Sequence, residues 1–513
     1  MTPKEVEIKL EVAPASLSRL EQIPLISACK APSKRTQEVS VYFDTDKQTL
    51  RKAGLTLRVR RIGDRYIQTI KTTANASLFE RDEWESEIED EVPDLRLARD
   101  TALAPLLGRK FRRRLKPMFE TRVQRTVYPL VDDKRAIALT IDQGDIAAGG
   151  RLVPVCEIEL ELERGNAAEL FDVAREITQA LPAQLALKSK SQRGYELLDG
   201  KQAAPVKAVP ADLAAGMSTR DGFATIGRAG LRQIIANEPA LLRNDPEGVH
   251  QMRVGLRRLR AAISLFADLL QDVQTAAIKT ELKWLTGELG PARELEVLIK
   301  RVVAPVKKRH VPLDGIPSLS HELSEKRAVA LERARSAVTS ARFRALTLEI
   351  AAWLEIGHWT SPQDDHIRAQ GDAPIEASAT AELKRRWKKI RKKGKALARF
   401  DAKGRHQLRI AAKTVRYAAE FFAPLFSGKR ASRRRKKFLN ALERLQDTLG
   451  DLNDIVVHED LITAMRRGRR RSNPKRAFAA GLLTGREDAR LDTALAAAVD
   501  AYAGIAKVKP FWR

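Results

Sequence analysis

The sequence predicts a multidomain protein in which an all-β region, about residues 1–200, precedes an all-α region, about residues 217–510. Segments of the first region alternate apolar and charged residues with a period of two, which is typical of strands. Segments of the second region are rich in Ala, Leu, Arg and Glu and have helical spacing. Residues 201–216 contain Pro and small residues without a sustained period, and this composition indicates a linker.

The charge of the chain is divided unequally between the two regions. The formal net charge is +27, but residues 1–200 carry 33 Lys and Arg against 32 Asp and Glu, so almost all of it lies beyond residue 200. A strongly basic region indicates an anionic partner, most often nucleic acid. All seven His residues also lie in the second region, so a metal site in the first would use carboxylates. Such ligands favour Mg²⁺ or Mn²⁺ over Zn²⁺.

The composition excludes several classes of protein. The two cysteines, Cys29 and Cys156, cannot form a disulfide framework and fit a reducing compartment. The N-terminus has no apolar signal segment, and no run approaches the ~20 apolar residues of a membrane span. The sequence also lacks a GxxxxGK phosphate-binding loop, an HExxH motif and a GxGxxG motif with its expected acidic residue. We therefore expect a cytoplasmic protein without a membrane partner.

Charged residues fall on one face of each predicted strand and are sorted by sign. Residues 5–11 and 157–161 place mostly Glu at alternate positions, whereas Arg58, Arg60 and Lys71 are basic. A sheet with one face in water would explain the alternation alone. The sorting by sign favours a closed barrel with a charged lumen. Carboxylates on that face could hold a hard divalent cation while Arg and Lys bind phosphate oxygens during phosphoryl transfer.

The first region resembles a known family in an ordered set of motifs. Glu5-x-Glu7-x-Lys9 is similar to the ExExK signature of CYTH domains, the triphosphate tunnel metalloenzymes. The resemblance covers about residues 1–200, and the ordered set is far more specific than any one motif. The other positions that follow the family's order are Leu57-Arg-Val-Arg60, Lys71, Arg81-x-Glu83-x-Glu85, Arg125, Asp142, Glu157-x-Glu159 and Ser189-Lys-x-x-Arg-Gly-Tyr195.

This resemblance implies an eight-stranded antiparallel tunnel with accessory helices that hydrolyses a linear triphosphate, such as tripolyphosphate, with Mg²⁺ or Mn²⁺. Water activated by the metal is the expected nucleophile, because the region offers no Cys/His or Ser/His pair. Asp142 would help to hold or orient the metal-bound water, and Glu161 could substitute for a neighbouring Glu. Arg122 faces opposite to Arg125 in strand phase, so which of them enters the lumen stays open. The implied metal ligands are Glu5, Glu7, Glu157 and Glu159; the implied catalytic residues are Glu5, Glu7, Lys9, Asp142 and Lys190; and the implied phosphate-binding residues are Lys9, Arg58, Arg60, Lys71, Arg125, Lys190 and Arg193.

The second region contains an internal repeat. Residues 250–260 align without a gap with residues 406–416, and 289–297 align with 449–457, which indicates two similar helical halves. In a helix, the cations of each copy lie on one face and apolar residues lie on the other. A solvated basic face is common, but recurrence of the same cationic positions favours a binding groove for a flexible polyanion. The two stripes are His250, Arg253, Arg257 and Arg260 in the first copy, and His406, Arg409, Lys413 and Arg416 in the second.

The repeated H-x-x-R-x-x-x-[RK]-x-x-R pattern resembles CHAD domains over about residues 217–510. The resemblance implies two pseudo-symmetric helical halves around a basic channel that binds inorganic polyphosphate. The eight residues of the two stripes would be the polyphosphate-binding residues, and the protein could associate with polyphosphate granules. The first copy departs from the second at one motif, with Arg293-Glu294 where the later copy has Asn453-Asp454, so the halves need not have equal roles.

Three alternatives remain open at this point. The chain could be a non-enzymatic polyphosphate-granule binder with a structural tunnel, or it could carry adenylate cyclase chemistry, which also occurs on CYTH folds. It could also bind nucleic acid non-specifically through basic segments, although its few aromatic residues argue against stacking on single strands. Those basic segments are residues 384–393, 433–437 and 466–471.

Overall fold

A computed structural model of the chain describes residues 4–29, 34–73, 77–201, 203–308, 315–467 and 474–512. The chain divides into two compact units. The barrel unit comprises residues 1–204 together with 338–357, and the helical unit comprises residues 205–337 and 358–513. Most of the basic segment 466–471 lies outside the described residues.

The strands of the barrel unit form one antiparallel sheet that closes on itself. Strand β1 pairs along residues 7–11 with β8 and along residues 4–6 with β5, so the described residues form a closed ring of eight strands. The short strand β9 pairs with β1 beside this closure. The expected eight-stranded antiparallel barrel is confirmed. The strands are β1 (Lys4–Glu11), β2 (Lys34–Asp44), β3 (Leu55–Ile62), β4 (Arg65–Thr72), β5 (Glu80–Ile88), β6 (Lys116–Val131), β7 (Ala136–Ala148), β8 (Arg151–Arg164) and β9 (Gln184–Ala186).

Helices cover the apolar outer face of the barrel. Ile8 and Leu10 of β1 are fully buried, and the helix after β8 packs over β1 and β8 through Leu170 and Phe171. Each such aliphatic side chain contributes about 2 kcal/mol through its removal from water. The helices from this part of the sequence are α1 (Pro24–Ser27), α2 (Thr49–Lys52), α3 (Arg109–Arg112), α4 (Ala167–Ala180) and α5 (Lys190–Leu198).

An apolar cluster occupies part of the inward face of the barrel. Tyr42 and Phe119 stack with ring centroids 4.7 Å apart, and Tyr195 of α5 meets Phe119 edge-on at 5.0 Å. A Cβ atom at Gly194 would lie 2.2 Å from the Phe119 ring, so the residue before Tyr195 must be Gly for α5 to approach this closely. This packing fixes the position of the first turn of α5.

The second region of the chain is helical, as expected. Helices α8 and α15, which contain the aligned residues 250–260 and 406–416, pack against each other. Arg258 donates a 2.9 Å hydrogen bond to Glu420, and its guanidinium lies 4.7 Å from the ring centroid of Phe421. The helices are α6 (Thr219–Ala236), α7 (Glu238–Leu242), α8 (Pro246–Leu265), α9 (Val273–Leu298), α10 (Ala304–Lys308), α11 (Gly315–Thr339), α12 (Ala341–Ile356), α13 (Asp365–Asp372), α14 (Ile375–Gly394), α15 (Ala402–Phe421), α16 (Lys429–Arg467), α17 (Pro474–Asp488) and α18 (Leu491–Ala506).

One of these helices, α12, belongs to the barrel unit. Residues of α12 lie against α4 and β9 of the barrel unit. Among the described residues, no helix is both long enough and apolar enough to cross a lipid bilayer.

Candidate functional site

The strand register places the predicted barrel residues on the inward face. Residues directly opposite each other in an antiparallel pair point to the same side of the sheet. Lys9 lies opposite Glu159, and Asp142 lies opposite both Arg125 and Glu157. The remaining pairs continue the same face around the ring, with Glu5 opposite Arg81, Glu7 opposite Glu161, Lys71 opposite Glu83, and Arg58 opposite Thr69.

Three carboxylates meet inside the barrel. Oxygen atoms of Asp142, Glu157 and Glu159 lie within 4.8 Å of one another, and these residues, here called the acidic group, are almost inaccessible to solvent. Burial alone would raise the pKa of Glu159, but Lys190, Lys9 and Arg125 hold it well below its usual range. The pKa of Asp142 is lowered in the same way against burial, chiefly by Lys190 and Arg125. The surrounding cations therefore favour the ionised form of Asp142 and Glu159.

Lys190 reaches the acidic group because of how helix α5 begins. Ser189 is the N-cap and forms a capping box with Gln192, so Lys190 occupies the first helical position. Its Nζ lies 2.6 Å from Asp142 Oδ2 and 3.0 Å from Glu159 Oε1, and it also contacts Glu157. Burial would lower the pKa of Lys190, but the three carboxylates raise it above its usual value. Lys190 is thus an ammonium ion that donates hydrogen bonds.

A second charged group lies where β1 meets β5. Lys71 Nζ lies 2.8 Å from one oxygen of Glu5, Arg81 Nε lies 3.2 Å from that same oxygen, and Arg81 also contacts Glu7. Despite burial, Lys71 and Arg81 lower the pKa of Glu5 to about 2. Burial raises the pKa of Glu83 to about 7, and the neighbouring Glu5 carboxylate adds to this rise against the opposing effect of Lys71. Glu5 and Glu7 are thus held by cations.

The implied metal ligands therefore fall into two groups. Among the described residues, the carboxylates close enough for a single cation are those of the acidic group, which includes Asp142 and leaves out Glu5 and Glu7. An oxygen-only donor set with several negative charges fits a hard divalent cation such as Mg²⁺ or Mn²⁺. The metal-binding roles of Glu5 and Glu7 remain predictions.

The cations across the lumen have unsatisfied donors. In the described part of the barrel, the Nε atoms of Arg58 and Arg60 are buried without a hydrogen-bond partner. Burial and the neighbouring Arg58 lower the pKa of Arg60. Arg125 forms a bidentate contact to Asp142 at 2.8 and 2.6 Å and lies 2.9 Å from Glu159. Neighbouring guanidinium groups with unpaired N–H donors favour the binding of an anion.

Two further positions on β6 and α5 are settled by their contacts. Arg122 is 70% exposed and pairs with Glu120, so Arg125 is the residue that enters the lumen. Arg193 donates a 2.6 Å hydrogen bond to the carbonyl oxygen of Pro154 and lies 3.7 Å from Glu157. The side chain of Arg193 is therefore attached to the barrel wall beside the acidic group.

Sequence reasoning missed Glu38. Its carboxylate is buried in the lumen, 3.5 Å from Arg60 and 3.7 Å from Arg125. Glu38 lies on β2, which begins at Lys34, before the apolar alternation of Val39, Val41 and Phe43. Extending the alternation backwards from Ser40 would have placed Glu38 on the inward face.

In the helical unit, four cations from the two stripes meet between α8 and α15. Arg253, Arg257, Arg409 and Lys413, here called the basic cluster, form no ion pair with a carboxylate in the described ranges of the chain. Arg253 Nε and Arg409 Nε are buried without a hydrogen-bond partner. Burial lowers the pKa of Lys413 to about 7, with Arg409 and Arg257 adding to the shift. Burial and Arg257 also lower the pKa of Arg253.

The other stripe residues have different surroundings. Arg260 is exposed, and Arg416 donates a 2.7 Å hydrogen bond to Glu420. Burial lowers the pKa of His250 to about 4, with Arg293 adding to this shift, so its ring is neutral near pH 7. His406 is exposed, and its Nδ1 lies 2.7 Å from the side-chain oxygen of Asn453. The two copies therefore place their histidines in unequal environments.

Cations outside the stripes also approach the basic cluster. Burial lowers the pKa of Arg293, and Arg301 lies 3.1 Å from both Asp451 and Asp454. Arg293 stands in the motif that distinguishes the two copies, and that signal could have identified it. Arg301 follows α9 in a short π-helical turn, residues 299–303, which the sequence pattern did not indicate.

Comparisons with known proteins agree with this two-part organisation. The family model of the CYTH domain matches residues 3–195, and that of the CHAD domain matches residues 225–463. The inorganic triphosphatase of Haemophilus influenzae is 30% identical over 202 residues, which are 39% of this chain and 56% of that protein. The chain therefore spans little more than half the length of this curated relative.

A solved structure resembles the helical region. The CHAD domain from the plant Ricinus communis has 30% sequence identity and a TM-score of 0.51, and the match covers 60% of this chain and 98% of that domain. The family matches and the charged interior of the barrel point to the same identity. The chain belongs to the proteins in which a CYTH domain is followed by a CHAD domain.

Proposed function

We propose that the barrel unit hydrolyses tripolyphosphate or a similar linear triphosphate with a divalent metal, and that the helical unit binds inorganic polyphosphate. The observation that carries the first part is that Arg58, Arg60 and Lys71 share the inward face of one closed barrel with the acidic group. A linear triphosphate offers a row of oxygens for the cations, and a metal needs the carboxylates. Both sets are required for metal-assisted phosphoryl transfer.

Some residues of the lumen would bind the phosphates, and others would stabilise the charge that develops during the reaction. Arg58 and Arg60 would donate their open Nε–H groups to phosphate oxygens. A Mg²⁺ or Mn²⁺ ion at the acidic group would supply Lewis-acid charge and lower the pKa of a coordinated water. Lys9 and Lys190, both kept protonated beside the carboxylates, would offset the negative charge that develops on the phosphate.

The experiment that tests the enzymatic part compares two products. The purified chain is supplied with tripolyphosphate and, separately, with ATP, in Mg²⁺ or Mn²⁺. We expect orthophosphate from tripolyphosphate and no cyclic AMP from ATP. Cyclic AMP as the main product would favour the cyclase alternative, and absence of both products would favour a non-enzymatic binding protein.

Polyphosphate binding by the helical unit rests on the basic cluster. Its cations repel one another, are partly withdrawn from water and lack carboxylate partners in the described residues. A flexible chain of phosphates would relieve this repulsion and release its own counterions. Binding of this kind would also bring the protein to polyphosphate granules.

Lys413 makes polyphosphate affinity depend on pH. In the free protein its pKa is about 7, and bound phosphates would raise that pKa, so above pH 7 the bound state carries more protons than the free state. We therefore expect affinity to fall as pH rises from 7 to 8.5, by about tenfold per pH unit at most. Calorimetric titrations in buffers of different ionisation enthalpy would also detect the proton taken up.

Lys413→Arg is the matched control for this prediction, because Arg keeps its charge throughout this range. The variant should bind polyphosphate with nearly constant affinity between pH 7 and 8.5. An equal fall of affinity in both proteins would assign the pH dependence to another group.

A further inference from the structure

Helix α12 belongs to the barrel unit although it lies far along the sequence. It falls within the residues matched by the CHAD family model, yet it groups with the barrel residues. Phe343, Leu346 and Trp353 of α12 are buried, and the helix packs on α4 and β9. The barrel unit is therefore completed by a segment from the C-terminal half of the chain.

Two glutamates attach α12 to the barrel. Glu349 accepts a bidentate contact from Arg175 of α4, at 2.6 and 3.0 Å. Glu355 accepts hydrogen bonds from the Leu78 backbone N–H and the Ser77 hydroxyl, both at 3.1 Å. Charge-assisted hydrogen bonds of this kind are about twice as strong as neutral ones. The second contact holds the segment that leads directly into β5.

That segment is hydrogen-bonded to β1. Ser77 Oγ accepts from the Phe79 backbone N–H at 3.1 Å, and the Phe79 carbonyl accepts from the Glu7 backbone N–H at 3.0 Å. The Phe79 ring also meets Phe171 of α4 edge-on, with centroids 5.4 Å apart. A chain of hydrogen bonds thus links Glu355, through Ser77 and Phe79, to the backbone of Glu7.

The same segment sets the position of Arg81. In the closure of the barrel, Glu5 lies opposite Arg81 and Val6 lies opposite Glu80. Arg81 contacts both Glu5 and Glu7 through its side chain. A shift at Leu78 and Phe79 would therefore change the place of a lumen cation and of the carboxylates paired with it.

We propose that Glu355 is a positioning residue for the triphosphate site, acting through the 77–79 segment on Glu7 and Arg81. The inference rests on the proposed triphosphatase function and extends it, since it makes a helix of the CHAD-matched region part of the catalytic unit. Displacement of groups that orient a substrate by about 1 Å can cost up to about a hundredfold in rate.

The experiment uses the full chain and the variant Glu355→Ala. This change removes the acceptor that Glu355 provides to Ser77 and Leu78. We expect the KM for tripolyphosphate to rise by about tenfold, with a smaller fall in kcat, because binding geometry is disturbed more than the acidic group. Amide hydrogen exchange should become faster in peptides covering residues 4–11 and 77–83, and should stay unchanged in β2 and β3.

Two further variants separate positioning from general stability. Glu355→Gln keeps one carbonyl acceptor, so its KM and exchange should lie between those of the wild type and Glu355→Ala. Glu91→Ala removes an exposed carboxylate from the loop after β5 and should match the wild type. Faster exchange throughout the barrel with an unchanged KM would assign Glu355 a merely structural role and overturn the inference.

The failure of this inference can be told apart from failure of the proposed function. If the wild type does not hydrolyse tripolyphosphate, the proposed function fails, whereas hydrogen exchange still reports whether Glu355 fixes the Glu7 backbone. If the wild type is active and Glu355→Ala has the same KM and the same exchange at residues 4–11, the positioning role is wrong.

Discussion

Replacing Glu159 with Gln is expected to lower tripolyphosphate turnover by about a thousandfold, since the metal-assisted charge stabilisation that it removes amounts to several kcal/mol. Glu159 lies in the lumen, where it contacts Lys9, Lys190 and Arg125. Loss of its charge weakens the acidic group as a cation site and leaves three cations with fewer partners. Turnover should be measured over a range of Mn²⁺ concentrations, and half-saturation should move to higher concentration.

The same substitution should destabilise the barrel. Removing one partner of a buried ion pair costs about 3–5 kcal/mol, because the remaining charges stay buried without compensation. Glu163→Gln is the matched control, because Glu163 lies near the end of the same strand and is exposed. Circular dichroism should confirm that the Glu159→Gln protein is folded under assay conditions. Wild-type turnover and metal dependence in the folded variant would exclude the acidic group as the metal site.

Neutralising two residues of the basic cluster should weaken polyphosphate binding without destabilising the protein. Arg257→Gln with Arg409→Gln removes two cations that repel each other and the neighbouring Arg253 and Lys413. We expect polyphosphate affinity to fall about a hundredfold or more, because each charged hydrogen bond contributes about 1.5 kcal/mol or more. The slope of log affinity against log salt concentration should become shallower by roughly 1.4, because each of the two lost phosphate contacts contributes about 0.7 for a single-stranded polyanion. The free energy of unfolding should not decrease.

A control pair on α14 distinguishes the cluster from general surface charge. Lys388→Gln with Lys389→Gln removes the same number of charges from exposed positions. This variant should keep most of the affinity at physiological salt. Equal losses in the two double variants would mean that polyphosphate binds by charge alone, as non-specific nucleic-acid binding would, and the basic cluster would have no special role.

The two predictions differ because the two sites balance charge differently. In the barrel, the carboxylates of the acidic group contact Lys9, Arg125 and Lys190, and removal of either sign leaves buried charge unpaired. In the helical unit, the cations of the basic cluster have no carboxylate ion-pair partner among the described residues, so their proximity costs stability. Repulsion between like charges that a folded protein holds close together favours the binding of an ion of the opposite sign.

Local sequence patterns predicted the faces of the strands well. A period of two fixes which residues of a strand share a side, so Glu5 and Arg58 could be assigned to the charged faces of their strands before their partners were known. The convergence of Asp142 with Glu157 depends on the pairing of β7 with β8, because neighbours across a sheet are set by register. A single strand's sequence does not encode that register.

Helical periodicity was less informative about partners. It placed Arg260 and Arg416 on the basic stripes, but ten residues of helix rotate a side chain by about 80° from the first position. In the structure one is exposed and the other pairs with Glu420. Periodicity likewise indicated that the second region is helical, without showing that α12 packs on α4 and β9, since one amphipathic face can serve many partners.

The measurement that tests the account most directly is a crystal structure of the protein with Mn²⁺ and a slowly hydrolysed triphosphate analogue. Anomalous scattering from Mn²⁺ should appear among Asp142, Glu157 and Glu159, and the phosphates should contact Arg58, Arg60 and Arg125 within the lumen. Mn²⁺ and the analogue bound outside the barrel, with the Nε atoms of Arg58 and Arg60 still unpaired, would contradict the account.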